Sequence, residues 1–422
     1  MIKYKQNKLK IVNDPIYGFI NMPSELIFDI IQHPFFQRLR RIKQLGLTSY
    51  VYPGATHSRF QHVLGATFLM KQALEVLKNK AVDISPEEEE ATLIAILLHD
   101  IGHPPLSHSL EYIFIENVSH EELSLLFMGE LNKSFKGKLS LGMEIFQGTY
   151  HKKFLHQLVS SQLDMDRLDY LRRDSFFTGV SEGVVGSDRI IKMLNTKGNE
   201  LVVEEKGIYS VEKFLIARRL MYWQVYLHKT VVVAEQMLIK VLLRAKKLHA
   251  NGIDIFLTPA LAFFFENKIN SKNIMLDIVQ GQIPLEVYGQ LDDNDVFVSI
   301  KQWQQHDDLI LSFLSKRVIN RDLFKIEIQK EPFSMAELER IRKLALDKFN
   351  LGEQDLEFIV FADSIKNNAY SEQKDKKINI LGKNGELRDI AVASDVSNVA
   401  VLSQMVEKFF LCYPKELDYK ES

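Results

Sequence analysis

Apolar residues recur at helical spacing through most of the chain. Leu26, Ile27, Ile30 and Ile31 share one face and follow Ser24, a residue type that caps helix starts. The stretch Gln37 to Leu45 predicts a second helix ended by Gly46, and Phe60, Val63, Leu64 and Phe68 form the stripe of a third. Residues 87–99, EEEEATLIAILLH, begin acidic, as suits a helix N-terminus, and then turn apolar on every face, which marks a helix buried all round. Gly102, Pro104 and Pro105 stop it just after His99-Asp100. Further helices are expected around 119–131, 155–174, 211–248, 256–267, 284–290 and 294–314, with a small hairpin between 201–203 and 207–210.

Near the start, Asn13-Asp14-Pro15 followed by Gly18 is a turn signal. From about residue 332 the pattern changes. An amphipathic helix over Met335 to Phe349 is followed by three strand-like runs, Leu356 to Phe361, Lys377 to Leu381 and Leu387 to Val392, with a turn at Gly382 to Gly385. Ser394 then opens a closing helix to about Leu411. The expected architecture is mostly α, a helical bundle with a small α+β C-terminal unit. Its expected divisions are 1–230, 231–331 (a helical extension) and 332–422.

Composition narrows the function classes. Hydrophobic residues make up 46% and charged residues 26% of the 422, the profile of a globular protein rather than a disordered or fibrous one. Lys plus Arg number 53 against 55 Asp plus Glu, so there is no global field for gripping nucleic acid or an anionic membrane. Any anionic ligand must be held by a local cluster. The single cysteine, Cys412, excludes an intramolecular disulfide framework and a cysteine-based zinc module. The longest apolar run is too short to span a bilayer, and the N-terminus lacks the apolar segment of a signal peptide. A cytoplasmic protein is expected.

Candidate chemistry is concentrated. His57, His62, His99, Asp100, His103, His108 and His120 fall within about a sixth of the chain. Imidazoles and carboxylates suit a divalent metal, and phosphate chemistry uses such a metal to offset charge on oxygen. His99 and Asp100 sit where a buried helix breaks, so both side chains can converge on one ion. Arg59 and His62, three residues apart on a helix, share a face. A His-Asp dipeptide alone carries little information, because a second copy, His306-Asp307, lies in the polar run QQHDD and reads as a solvated turn. In the segment 162–174, Asp166, Asp169, Tyr170 and Arg173 share a helical face while Asp164 points elsewhere, and Leu163, Leu168 and Leu171 imply that the helix is at least half buried. No GxxxxGK[ST] loop occurs, and Gly179, Gly183 and Gly186 do not form the dinucleotide fingerprint. Phosphates would be met by metal, Arg, Lys and His.

His62, His99-Asp100 and a later Asp resemble the H…HD…D signature of HD-domain metal phosphohydrolases. The motifs NDPIYG, QRLRRIKQLG, YPGATHSRFQHVLG, HDIGHPPLSH, DMDRLDYLRRD and YLHK are similar, in order over about residues 10 to 330, to the deoxynucleoside triphosphate triphosphohydrolases. The likeness is strongest to the branch of the vertebrate sterile-alpha-motif-and-HD protein and its bacterial relatives. The resemblance implies an HD-domain helical bundle and a divalent metal held by His62, His99, Asp100 and Asp166. Asp166 is preferred to Asp164 because the family's ligand directly precedes a basic residue, here Arg167. By the same resemblance His103, His108, Glu111 and His120 would position the attacking water, protonate the leaving group or contact the α-phosphate. Arg59, Arg167, Tyr170, Asp174 and Arg218 would grip the triphosphate and sugar, and Gln44, Tyr226 and His228 would lie near sugar or base. Arg167 stands where Lys is frequent, and Leu227 where the vertebrate protein has Gln.

The resemblance also implies a deoxynucleotide substrate, a homo-oligomer (dimer or tetramer) and a regulatory nucleotide at Lys10, Ile11, Asn13, Gln37 and Arg40. Gln32 stands in place of a guanine-reading Asp. A carboxylate accepts both hydrogen bonds of guanine's N1–H and N2 amine, whereas Gln offers one acceptor and a misplaced donor, so a site without strong guanine preference is expected. The expected activity is hydrolysis of a deoxynucleoside triphosphate to deoxynucleoside and inorganic triphosphate. Hydrolysis of another nucleotide or phosphoester, and a nucleotide-sensing scaffold, remain as alternatives.

Overall fold

The structure, a computed structural model, describes residues 10–274, 283–367, 370, 377–394 and 405–417. Strands β1 (Ile11–Asp14) and β2 (Gly18–Asn21) form an antiparallel hairpin, and the Asp14 carboxylate accepts from the backbone N–H groups of Ile16 and Tyr17 in its turn. Helix α1 (Glu25–Gln32) starts at Ser24 as expected, with Ile27, Ile30 and Ile31 buried. The helix expected over Gln37 to Leu45 is not formed. A single turn, Pro34–Gln37, runs into a 3₁₀ turn, Arg38–Arg41. Arg38 is fully buried and donates to the carbonyls of Leu291, Ile101 and His103, while Lys43 bridges to Ser58, so tertiary bonds override the local periodicity.

Three long helices build the centre. Helix α2 (Arg59–Asn79) begins at Ser58, whose N–H is accepted by Gln61 Oε1 at 2.8 Å. Helix α3 (Pro86–Leu98) begins with a Ser85/Glu88 capping box, and Ala91 to Leu98 are all buried. Helix α4 (His120–Ser134) carries the same device at Ser119 and Glu122.

The long helices expected over 155–174, 211–248 and 294–314 are each interrupted, and each break is marked by a capping side chain. Lys153–Val159 is separate from α5 (Met165–Thr178), because Asp164 accepts from the Arg167 N–H at 2.7 Å and caps the second helix. Helix α6 (Ile208–Met221) passes through a π-type turn at Tyr222–Tyr226, and His228 then caps α7 (Lys229–Ala250). Asp293–Trp303 and α8 (Leu309–Ile319) are divided where Asp308 accepts from the Leu311 N–H. Helix α2 lies against both α3 and α5.

The sheets are small. β3 (Leu194–Lys197) pairs with β4 (Glu200–Glu204), so the expected hairpin partner at 207–210 is wrong: Glu205–Gly207 is a 3₁₀ turn and Ile208 opens α6. Strand β5 is Lys325–Gln329, and Met335–Phe349 is helical as expected. Leu356–Ile359 is a helical turn rather than a strand, and the strand, β6 (Phe361–Asn367), comes after it. β7 (Asn379–Leu381) falls within its expected run, but β8 is only Leu387–Asp389, since Asp389 caps a short turn, Ile390–Ala393. The closing helix lies partly outside the described residues, at 395–404. Its end is instead β9 (Val406–Tyr413), which runs antiparallel between β5 and β6 with Phe410 to Tyr413 buried. β7 pairs in parallel with β4, giving the order β8-β7-β4-β3 and tying residues near 380 to residues near 203. The fold is mostly α, and among the described residues no helix is long and apolar enough to cross a membrane.

Candidate metal centre

Three helices deliver the central group. His62 projects from α2, His99 and Asp100 follow the last turn of α3, and Asp166 sits in the first turn of α5. His62 Nε2 lies 3.1 Å from Asp166 Oδ1 and 3.6 Å from Asp100 Oδ2. His99 Nε2 lies 3.4 Å from Asp100 Oδ1 and 3.5 Å from Asp166 Oδ1. The loop that carries Asp100 onward is tied to α4, where Ser124 Oγ accepts from the Gly102 N–H at 2.9 Å. A Cβ at Gly102 would lie 2.3 Å from the Ser124 nitrogen, so only glycine lets the loop pass there.

The other ring nitrogens show how the group is aimed. His99 Nδ1 donates to the Ile96 carbonyl at 2.7 Å, and His62 Nδ1 meets Asp169 Oδ2 at 2.8 Å. Both partners accept only, so each ring presents Nε2 as a bare lone pair to the Asp100 and Asp166 carboxylates. Among the described residues neither Nε2 has a hydrogen-bond partner although both are buried. Burying such atoms unpaired is costly, and a divalent cation would satisfy both: one ligand atom from each of His62, His99 and Asp166 lies within 4.8 Å of the others, and Asp100, which also pairs with Arg59, stands beside them. The donor set therefore fits a metal. Burial alone would lower the His62 pKa, but with no cation in place Asp166, Asp169 and Asp100 overcome this and raise it to about 10, so a metal would take the place of a proton at Nε2. Asp166 is held well below the usual carboxylate range against its burial by the two histidines. Asp164 is the cap of α5 and pairs with the Arg167 guanidinium, so Asp166 alone of the two faces His62 and His99.

A second group lies alongside. One ring nitrogen from each of His103, His108 and His120 falls within 4.8 Å of the others. His120 Nδ1 donates to Glu111 Oε1 at 2.8 Å, and the weaker His108 contact to Glu111 Oε2 is 3.4 Å. His103 is buried, with Nδ1 3.2 Å from Asp100 Oδ1, and burial with the Arg59 charge pushes its pKa well down, leaving a neutral ring. Asp100 thus touches both groups.

The expected substrate residues are brought near, though several are already engaged. Arg59 pairs with Asp100 and donates to Ser107 Oγ at 2.9 Å. Asp174 is buried between His57 Nε2 (2.8 Å) and the Tyr226 hydroxyl (2.7 Å), and Phe177 stacks on His57. Tyr170 is within electrostatic reach of Arg218, Arg167 and Asp166, and its ring meets that of Tyr226 at 6.2 Å. Arg218 holds Gln162 at 2.9 Å. Gln44 is buried, its side-chain oxygen without a partner among the described residues, and His228 faces Tyr52 while capping α7. Of the expected regulatory residues, Lys10 lies over the Phe28 ring, Gln37 donates to the Ile31 carbonyl and accepts from Arg40, and Ile11 and Asn13 are on β1.

Three residues were given no site role by sequence: Asp14, Asp169 and Arg173. Their signals in the sequence are the face that Asp169 and Arg173 share with Asp166, and the place of Asp14 in the NDPIYG turn.

The HD domain model matches residues 59–174, and a model of the HD associated region matches 185–255. The chain is 33% identical to the uncharacterised protein YwfO of Bacillus subtilis, over 98% of this chain and 94% of that one. It is 25% identical to the deoxynucleoside triphosphate triphosphohydrolase SAMHD1 of Bos taurus, over 80% of this chain and 61% of that one. The crystal structure of a phosphohydrolase from Bacteroides thetaiotaomicron matches with a TM-score of 0.91 at 51% identity, covering 96% of this chain and 100% of that one. The chain belongs to the HD-domain phosphohydrolase family, in the branch that contains SAMHD1 and its bacterial relatives.

Proposed function

We propose that this protein hydrolyses a deoxynucleoside triphosphate at its α-phosphorus, releasing deoxynucleoside and inorganic triphosphate. The observation that supports it most is the pair of buried, unpartnered Nε2 atoms of His62 and His99 between Asp100 and Asp166, beside the His103, His108, His120 and Glu111 group. A divalent ion held by His62, His99, Asp100 and Asp166 supplies Lewis acidity toward a phosphoryl oxygen and makes water more acidic.

The chain's own groups do the rest. Water adds its oxygen to the α-phosphorus, the bond from phosphorus to the sugar 5′-oxygen breaks, and that oxygen must gain a proton. His120 can take the proton the water gives up at Nε2 and pass it toward that oxygen, because Glu111 holds its Nδ1–H and fixes the ring. His108, the more exposed ring on the same carboxylate, can serve the leaving oxygen. His103, kept neutral, can donate a ring N–H to an α-phosphate oxygen without adding charge. Arg59, Arg167 and Arg218 offset charge on the triphosphate as the sugar 5′-oxygen leaves. Tyr170, Asp174, Gln44, Tyr226 and His228 bound the sugar and base. We further propose a homo-oligomer, dimer or tetramer, with a regulatory nucleotide site at Lys10, Ile11, Asn13, Gln37 and Arg40 that does not strongly prefer guanine.

The test is a screen of the four deoxynucleoside triphosphates with Mg²⁺, Mn²⁺, Fe²⁺, Co²⁺, Ni²⁺ or Zn²⁺, with and without GTP. Turnover of at least one nucleotide to deoxynucleoside is expected. Hydrolysis confined to cyclic nucleotides, guanosine polyphosphates or simple phosphoesters would replace the substrate class.

A further inference from the structure

We infer that Asp14, in the turn of the N-terminal hairpin, is a positioning residue for the metal centre, acting on His62 through Arg173 and Asp169. The inference rests on the reading above that His62 is a metal ligand.

The two oxygens of Asp14 do different work. Oδ1 accepts from the Ile16 and Tyr17 N–H groups at 2.9 and 3.1 Å and holds the turn. Oδ2 accepts from Arg173 Nη1 at 2.8 Å. Arg173 lies on α5 and is fully buried, and its remaining donors take Asp169 in a bidentate grip, Nε to Oδ2 at 2.9 Å and Nη2 to Oδ1 at 3.0 Å. The same Asp169 Oδ2 meets His62 Nδ1 at 2.8 Å. An unbroken run of buried, charge-assisted contacts therefore leads from the hairpin to the ring whose Nε2 faces Asp166 and Asp100.

Packing makes room for this run. Gly65 lies one turn after His62 on α2, and a Cβ there would stand 2.0 Å from Asp169 Oδ1 and 2.2 Å from Arg173 Nη2. The ion pair of α5 rests directly on the α2 backbone because position 65 has no side chain. Helix, ion pair and ring are thus held in one register.

Charge explains why Asp14 matters at a distance from His62. With Asp14 present, one guanidinium is shared by two carboxylates, and Asp169 Oδ2 keeps enough electron density to hold the His62 Nδ1–H. Remove the Asp14 charge and Arg173 is faced by Asp169 alone. The guanidinium then draws Oδ2 toward itself, the ring is held less firmly, and its Nε2 becomes a poorer donor. Partners that orient a metal-binding His commonly carry 10- to 100-fold in metal affinity.

Asp14→Asn separates the two roles. It keeps an oxygen for the turn but places an amide N–H₂ against the Arg173 donors. The experiment titrates Mn²⁺ or Co²⁺ into the full chain after metal removal, by calorimetry, and records the melting temperature of the stripped protein. Asp14→Asn is expected to weaken binding about 10-fold, and Asp169→Asn at least as much. In the double variant the two losses should not multiply, because both cut one path. Asp14→Glu should recover part of the affinity. Leu311→Ala, in the core of α8, should lower the melting temperature and leave affinity unchanged. If Asp14→Asn does not accumulate, Asp14→Ser keeps a turn acceptor and reads the same quantity. Unchanged affinity in the Asp14 variants, or losses that multiply in the double variant, would overturn the inference while leaving the metal reading intact. A wild-type chain that takes up no ion would overturn both.

Discussion

His99-Asp100 and His306-Asp307 are one dipeptide in two settings. The first follows a helix buried on every face, and its loop is pinned to α4. His99 spends Nδ1 on a carbonyl and leaves Nε2 bare toward two carboxylates, one of them its neighbour Asp100. The second lies in an exposed turn between helices. His306 spends both nitrogens, Nε2 on the Asp254 carbonyl and Nδ1 on the Asp308 N–H, and Asp307 is solvated. Residue type is identical, and the difference is in what each group has left over. A site is marked by polar atoms that burial has stripped of water and the fold has not paired.

The comparison is broken most severely at the carboxylates. Asp100→Ala or Asp166→Ala should abolish bound metal by elemental analysis and reduce turnover about 10³-fold or more, since several kcal/mol of transition-state stabilisation go with the ion. Asp307→Ala should change neither. Full metal occupancy in the Asp100 variant would remove that residue from the ligand set.

His120→Ala should lower turnover about 10²-fold with metal content unchanged, as befits a lost proton carrier. Loss of metal in that variant would move His120 into a ligand role and merge the two histidine groups.

Packing under the buried copy offers a third route. Gly65→Ala forces a methyl group into the Asp169–Arg173 pair, and a loss of about 3 kcal/mol in unfolding free energy is expected from overpacking a rigid contact. Denaturant titration measures it, and wild-type stability would show that α5 can shift without disturbing His62.

The smallest effect belongs to the exposed copy. His306→Ala removes two contacts at a solvated turn and should cost less than about 1 kcal/mol, while metal content and turnover stay at wild-type values. Asp308→Ala, which also ends the cap of α8 and the pair with Arg244, should cost about 1 kcal/mol or somewhat more by thermal melting.

The fold and the site were legible to different depths. Helix α1, with its Ser24 cap and apolar stripe, and α3, with its acidic start and unbroken apolar run, were readable because local signals agree with packing. Breaks at Asp164 and His228 were not, since apolar periodicity runs across them and the cap's hydrogen bond ends the helix; the break at Asp308 was signalled by the polar run QQHDD, which the expected helix over 294–314 ran through. The end of the closing helix became β9 because Phe410 to Tyr413 find β5 and β6 on both sides, information that lies about 50 to 90 residues away. At the site, the His and Asp cluster stood out by composition, and the family motifs named its members. The Asp14, Arg173 and Asp169 run did not stand out, because its first link joins residues 159 apart and nothing along the chain pairs the N-terminal turn with the 162–174 helix. Arg59, expected on a triphosphate, is found on Asp100, a pairing that spacing could not show.

The central claim is attack at the α-phosphorus, and isotope tracing in product analysis reads it directly. Hydrolysis of a deoxynucleoside triphosphate in ¹⁸O-labelled water, followed by ³¹P NMR, should yield intact inorganic triphosphate with one label on a terminal phosphorus and an unlabelled deoxynucleoside. Release of orthophosphate or pyrophosphate, or label in the sugar hydroxyl, would contradict it.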